Sequence, residues 1–187
     1  MSPFEFVSVI ISVVIGLGLT HLLTGLVGLV QRGRQVRFYW LHLLWLALLF
    51  VSQVFLWWSL WTLQEVRSWT FFSFLLFLLL PVTLYVAAAL LIPDAHGEPS
   101  PDLRAHYYQV HRAVFGTLAA FTVLLVLYNA LLEGRFRVDV TMLLLGGLLA
   151  LELGAAASKS PRFHALVGIA FTALFTSMIA LFGIQIR

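Results

Sequence analysis

Long runs of apolar residues, separated by short polar stretches, are the dominant pattern along this chain. Each run is near or above the roughly 20 residues that a helix needs to cross a hydrocarbon layer about 30 Å thick. We therefore predict an all-α polytopic integral membrane protein, a six-transmembrane-helix bundle that forms one transmembrane domain over residues 1–187. The predicted helices cover residues 4–30, 38–63, 69–92, 107–132, 140–158 and 163–186, and a long loop covers residues 93–106.

Composition agrees with a lipid environment and excludes several kinds of chemistry. Hydrophobic residues make up 61% of the chain and charged residues only 10%, whereas a soluble domain carries about 25% charged residues. The absence of cysteine excludes disulfides, thiolate catalysis and Cys-ligated metals. No metal site is predicted. The first apolar run exceeds the roughly 7 to 15 residues of a signal-peptide core, so we expect it to remain in the mature protein.

The Lys and Arg residues lie mainly in the connections between apolar runs, where they act as orientation signals. No nucleic-acid partner is predicted. Seven of these residues fall on one side of the membrane and four on the other, and the positive-inside rule places the richer side in the cytoplasm. Loop 93–106 is then cytoplasmic, and both termini lie outside. The richer side has Arg32, Arg34, Arg37, Arg104, Arg112, Lys159 and Arg162; the other has Arg67, Arg135, Arg137 and Arg187.

Small residues recur at every fourth position in three of the predicted helices. Such rows allow close approach of helices in a bilayer, where no hydrophobic force drives them together. We therefore predict that the first, fifth and sixth helices form the tightly packed core. The rows contain Ser8, Ser12, Gly16, Thr20, Thr24 and Gly28 in the first helix, Gly146 and Gly154 in the fifth, and Gly168 and Thr172 in the sixth.

Ionisable residues within a membrane segment are candidates for function. Glu152 is the only acidic residue well inside a predicted helix. The alternation of antiparallel helices places His21, His42, His111 and His164 in the same half of the membrane. We predict a contact between Glu152 and His21, and Gln53 could extend the polar track from the second helix. The first turns of the fourth helix, including His106, Tyr107 and Tyr108, are expected to project into the cytoplasm or lie along the surface.

The sequence is compatible with three interpretations of these polar residues. A Glu and His pair can be a static contact that fixes helix register. The same pair can exchange protons or bind ions, since two coupled titrating groups suit a proton relay. A third interpretation is b-type haem held between two histidines, for example His21 and His42; otherwise no cofactor is predicted. No catalytic motif is present, so no enzymatic activity is predicted.

The run SPFEFVSVIISVVIGLGLTHLLTGL, together with DLRAHYYQVHRAVFG, resembles a widespread set of uncharacterised small bacterial multi-pass membrane proteins. The resemblance implies a bacterial inner-membrane location and brings no activity with it. We expect a small proton- or cation-linked transporter or a channel-like protein. The alternative is a non-catalytic membrane subunit or scaffold that packs against partner helices. The expected partners are the lipid bilayer and either a second copy of the chain or another membrane protein.

Overall fold

The computed structural model describes residues 3–66, 69–93, 101–133 and 139–182, and six helices long and apolar enough to span a membrane occur within these ranges. This confirms the prediction of an all-α, multi-pass membrane protein with a six-helix bundle. Short 3₁₀ turns at Gly33–Gln35 and Leu60–Glu65 follow the first two helices. The helices are α1 (Pro3–Arg32), α2 (Trp40–Ser59), α3 (Phe71–Leu91), α4 (Leu103–Glu133), α5 (Val140–Ala157) and α6 (Pro161–Phe182).

The helix boundaries differ from the predicted ones chiefly at the start of α4. This helix begins at Leu103, so the last positions of the predicted loop 93–106 are helical. The Asp102 side chain caps it by accepting hydrogen bonds from the backbone N–H of Arg104 (2.9 Å) and of Ala105 (3.0 Å). Residues 94–100 of the predicted loop and 183–186 of the sixth predicted helix lie outside the described residues.

The helices form two layers. Helices α1, α3, α4 and α5 lie side by side in that order, with the most extensive contact between α3 and α4. Helix α2 packs across α1, α3 and α4, and α6 lies between α2 and α5. Helix α2 has the largest buried share of the six. The predicted core of the first, fifth and sixth helices is therefore wrong, since within the described residues α1 contacts neither α5 nor α6.

Aromatic rings fill the space between α2, α4 and α6. Trp45 of α2 lies fully buried between Phe115 of α4, at 4.8 Å between ring centroids, and Phe171 of α6, at 4.9 Å. One turn further along α6, Phe175 meets Phe55 of α2 edge to face at 6.0 Å. These edge-to-face and tilted arrangements are the preferred geometries of aromatic pairs. The rings join three helices that make few close backbone contacts with one another.

Most of the predicted small-residue row of α1 faces away from the other helices in the described part of the chain. Gly16, Thr20 and Thr24 are exposed, Ser12 and Gly28 are half-buried, and a Cβ added at Gly16 or Gly28 would meet no atom within 4 Å. The reason is geometric. A step of four residues turns about 40° beyond a full helical turn, so five steps from Ser8 to Gly28 rotate the row by about 200°.

The buried face of α1 instead alternates steps of three and four residues, which keep it on one side of the helix. Two glycines lie on this face, where side chains from other helices approach the backbone closely. A Cβ added at Gly18 would overlap the amide oxygen of Gln53, and one at Gly25 would lie within 2.8 Å of three carbon atoms of Ile92. The buried apolar residues of this face are Val7, Ile11, Ile15, Leu22 and Leu29.

The predicted small residues of α5 and α6 likewise include a position that faces away from other helices and positions at helix contacts. Gly146 is exposed, and nothing lies within 4 Å of an added Cβ. In contrast, a Cβ at Gly154 would lie 3.0 Å from the Phe163 ring of α6, and one at Gly168 would lie 3.1 Å from leucine side chains of α2. The Thr172 hydroxyl donates to the Gly168 carbonyl of its own helix at 2.7 Å. Gly154 and Gly168 thus mark the two contacts of α6, with α5 and with α2.

Substitution of Gly25 by Ala is expected to destabilise the protein, because the new methyl group would collide with the branched side chain of Ile92. Overpacking of this kind costs about 1 to 3 kcal/mol. Gly28→Ala is the matched control, since its methyl group meets open space and relieves the entropy cost of a helical glycine, about 0.5 to 1 kcal/mol. Thermal unfolding in detergent should give a lower midpoint for Gly25→Ala alone. The reverse order would contradict the assignment of the buried face.

Candidate functional site

Most of the described histidines and tyrosines meet at one end of the bundle, where α4 begins. We call this group the His–Tyr cluster. Two backbone hydrogen bonds fix the start of α4 there, from the Arg37 N–H to the Pro101 carbonyl and from the Leu103 N–H to the Arg37 carbonyl, each 3.1 Å. An ion pair between Arg37 and Asp102 (3.8 Å) lies at the same place. The cluster consists of Tyr39 and His42 near the start of α2, His106, Tyr107, Tyr108 and His111 on α4, and His164 on α6.

Two α4 residues of the cluster belong to a buried stripe whose members lie three or four positions apart along the helix. It places Tyr107 and His111 on the face of α4 that packs against the rest of the bundle. Tyr107 is only 1% exposed and Tyr108 is half-buried, so the prediction that this part of α4 projects into the cytoplasm or lies along the surface is wrong for both. The stripe contains Leu103, Tyr107, His111, Val114, Leu118 and Thr122.

His164 links three helices through both of its ring nitrogens. Nε2 lies 2.9 Å from the carbonyl oxygen of Ser158, which can only accept, so Nε2 carries the hydrogen and donates. Nδ1 then accepts from the Tyr107 hydroxyl at 2.9 Å. His164 is completely buried, and these two bonds satisfy the neutral imidazole. The start of α6 is thereby fixed to α4 and to the end of α5.

His111 has one satisfied nitrogen and one without a partner. Nδ1 lies 2.7 Å from the backbone carbonyl of Tyr108 and therefore donates to it. Nε2 is buried and has no hydrogen-bond partner among the described residues. The His111 ring lies 5.6 Å from the ring of His164, centroid to centroid. The structure thus brings two of the predicted site histidines together, and one of them presents a vacant acceptor.

His42 and His106 form a second histidine pair on the α2 side of the cluster. Their ring centroids are 5.9 Å apart, and His106 Nε2 lies 3.2 Å from the Leu90 carbonyl of α3. His42 is completely buried, and within the described part of the chain neither of its ring nitrogens has a hydrogen-bond partner. Such groups are uncommon in native proteins, and each one calls for an explanation.

Two of the three tyrosines, Tyr39 and Tyr108, are half-buried and form the outer part of the cluster. The hydroxyl groups of Tyr39 and Tyr108 are hydrogen-bonded at 3.1 Å, and the guanidinium carbon of Arg104 lies 5.9 Å from the centre of the Tyr39 ring. This distance permits a cation–π contact. The hydroxyl pair and Arg104 thus lie between the exposed surface and the buried histidines.

Glu152 lies deeper, at the contact between α4 and α5. It is 1% exposed, and its Oε1 accepts a hydrogen bond from the Thr122 hydroxyl at 3.0 Å. Its Oε2 is buried and has no partner among the described residues. Thr122 is eleven residues beyond His111 on α4, about 16 Å along the helix axis. Glu152, the only acid predicted to lie within the membrane, therefore has one carboxyl oxygen that is hydrogen-bonded and one without a partner among the described residues.

The predicted contact between Glu152 and His21 does not form, because α3 and α4 lie between α1 and α5. The His21 ring contacts Tyr85 of α3 at 5.7 Å, and its Nε2 has no hydrogen-bond partner in the described ranges. Gln53 is 1% exposed against α1, and both atoms of its amide group are without a described partner. Since α2 and α5 make no contact in the described residues, Gln53 and Glu152 do not form one polar track.

Sequence patterns missed Thr122 and the three tyrosines of the cluster. A signal for Thr122 and Tyr107 was present, because steps of three and four residues along the fourth apolar run connect both to His111, with Tyr107 four residues before it and Thr122 eleven after it. Tyr39 and Tyr108 had no such signal, since their contact joins two segments far apart in the chain. Only the fold places them together.

No group of three or more potential metal ligands was found within the described residues. The two histidines named for haem lie in different surroundings, His21 against Tyr85 of α3 and His42 against His106 of α4. Bis-histidine haem binding by this pair stays a prediction. Comparison of the chain with protein-family models, curated proteins and solved structures gave no match.

Tyr107→Phe is expected to lower the unfolding temperature in detergent more than Tyr108→Phe. The first change leaves Nδ1 of the buried His164 without a donor, at a cost of about 1 to 3 kcal/mol. The second removes a hydrogen bond between half-buried hydroxyl groups, which water can replace. Both variants keep the aromatic ring, so the difference reports the hydrogen bonds. Equal losses would contradict the role of His164 as the link between α4 and α6.

Proposed function

We propose that this multi-pass membrane protein is a small proton- or cation-linked transporter or a channel-like protein in which Glu152 binds the proton or cation. The observation that carries the proposal is a carboxyl group inside an apolar helix with only one of its two oxygens hydrogen-bonded to a described residue. Thr122 donates to Oε1, whereas Oε2 is buried without a described partner. Ionisable groups at such positions are costly and mark ion or proton pathways.

The vacant oxygen favours this function over a purely static role. A carboxyl group that only fixes helix register gains most when both of its oxygens are paired, because an unpaired buried acceptor costs about 1 to 3 kcal/mol. A proton bound at Oε2 removes the charge, and a bound cation offsets it. Either species relieves the cost of burying Glu152, so the vacancy supports reversible binding at this atom.

The aromatic interior supports a carrier or a proton relay rather than a wide water-filled pore. Trp45, Phe115 and Phe171 occupy the space between α2, α4 and α6, and the Trp45 ring centroid lies less than 5 Å from each of the other two. A hydrated ion needs a continuous polar path, whereas a proton can pass between neighbouring polar groups. The alternative, a non-catalytic subunit or scaffold that packs against a partner or a second copy, is tested by the same experiment.

The purified protein in liposomes is expected to move protons or monovalent cations when a gradient or a membrane potential is imposed. Glu152→Gln should reduce this flux to the level of empty liposomes, because the amide keeps the size of the side chain but cannot exchange a proton. An internal pH-sensitive dye reports protons, and ion-sensitive dyes report sodium and potassium.

Thr122→Val should reduce the flux partially and change its dependence on pH, since the carboxyl group remains but loses its donor. Thr117→Val is the matched control on the same helix, because the Thr117 hydroxyl bonds only to the Ala113 carbonyl of its own helix.

Unchanged flux in Glu152→Gln would remove Glu152 from the mechanism. The absence of flux under every gradient would contradict transport and favour the subunit or scaffold function.

We further propose that the protein resides in a bacterial inner membrane with both termini outside the cytoplasm. The distribution of Lys and Arg supports this orientation. It places the His–Tyr cluster on the cytoplasmic side and the turn between α2 and α3 on the outside.

Single cysteines test the orientation cleanly, because the chain has none of its own. Lys159 and Gln64 are both exposed and lie in connections at opposite ends of the bundle. In intact cells with a permeable outer membrane, a membrane-impermeant maleimide should label Gln64→Cys directly. Lys159→Cys should react only after the inner membrane is opened. The opposite labelling pattern would reverse the proposed orientation.

A further inference from the structure

Four of the five histidines that the structure describes lie in the His–Tyr cluster, and they differ in how their ring nitrogens are occupied. His164 has both nitrogens hydrogen-bonded. His106 donates from Nε2 to a backbone carbonyl. Two fully enclosed imidazoles retain vacant nitrogens, which are Nε2 of His111 and both nitrogens of His42. A neutral imidazole with a vacant nitrogen carries a lone pair that can accept a proton.

The contacts of His111 leave its ring able to accept a proton. The bond from Nδ1 to the Tyr108 carbonyl fixes the hydrogen on that nitrogen, so the lone pair lies on Nε2. The same bond is retained when Nε2 becomes protonated, because both nitrogens of an imidazolium donate. His164 cannot accept a proton in the same way. Its Nδ1 already accepts from Tyr107, whose hydroxyl would have to turn away.

We propose that the His–Tyr cluster is a proton-binding site in which Nε2 of His111 is the acceptor and His164 is a positioning residue. In this step a proton from water forms a bond to Nε2 and gives an imidazolium, and no other bond is broken. His106 and Tyr108 are both half-buried, and their rings contact the buried rings of His42 and His111 respectively. The inference rests on the proposed function in one respect only, that the bound proton is passed on toward Glu152.

Other titratable and charged groups near this site come from several elements. Tyr39 and His42 face it from the start of α2, and His164 faces it from α6. Arg104 lies over the Tyr39 ring, and Asp102 is paired with Arg37. Helix α5 contributes the Ser158 carbonyl rather than a charged group. The acceptor character of the site therefore comes from imidazole lone pairs, carbonyl oxygens and aromatic rings.

Proton binding can be measured without transport. Nitrogen NMR of the full-length protein in lipid nanodiscs, with ¹⁵N-labelled histidine, distinguishes a bare ring nitrogen from a protonated one. A sample that also carries ¹³C-labelled tyrosine carbonyl groups identifies His111 through its hydrogen bond to Tyr108. As the pH of the sample is lowered stepwise over the range in which the protein stays folded, Nε2 of His111 should change from bare to protonated. The His164 signals should remain those of a neutral ring.

A matched pair of variants tests what the bound proton does. His111→Asn keeps a side-chain N–H donor for the Tyr108 carbonyl and removes the second nitrogen, so it should fold and lose proton flux. Thr117→Val, on the same helix and with a hydroxyl that bonds to the Ala113 carbonyl of that helix, should leave the flux unchanged. Flux that is unaffected by His111→Asn would show that this proton does not reach the transport site.

The two measurements fail independently. A bare Nε2 on His111 throughout the pH range, or titration of His164 instead, would overturn the proton-binding site whatever the flux. The absence of flux from the wild-type protein, combined with titration of His111, would overturn the proposed transport function and leave the proton-binding site supported.

Discussion

A polar side chain inside a lipid bilayer has no water to bind, and this constraint shapes the polar contacts of the bundle. Apolar contacts between helices gain little in hydrocarbon, because lipid tails are as apolar as leucine side chains. The bonds from Tyr107 to His164 and from His164 to Ser158 therefore determine how α4, α5 and α6 meet at one end. The bond between Thr122 and Glu152 does the same for α4 and α5 at greater depth.

The six spans could be predicted from sequence, whereas the contacts between them could not. Span length and apolar composition are properties of one segment at a time, and the bilayer thickness sets the threshold. Contacts depend on which face of each helix meets a neighbour, and these helices are apolar on nearly every face. The row from Ser8 to Gly28 was misleading because a step of four residues rotates around the helix, whereas Gly18 and Gly25 are seven residues apart and stay on one face.

The candidate site was predicted in its residue types and only partly in its pairings. Glu152 is buried as expected of a functional carboxyl group, and His111 and His164 are neighbours. The partner of Glu152 was missed because threonine is ordinary in membrane helices, where its hydroxyl can bond to its own backbone, as Thr117 and Thr172 do. Only the position of α5 beside α4 distinguishes Thr122 from these two.

Buried polar groups with unpartnered atoms among the described residues occur in two separate parts of the bundle, at Gln53 and at Glu152. The Gln53 amide packs against α1 at Gly18, where the lack of a Cβ leaves space for its oxygen. Glu152 lies on the other side, against α4. An unpaired buried polar group costs about 1 to 3 kcal/mol, and in hydrocarbon no nearby water offsets that cost. A glycine nevertheless accommodates one such group, and a threonine pairs with one oxygen of the other. Packing alone would favour an apolar side chain at both places, so packing does not account for either polar group.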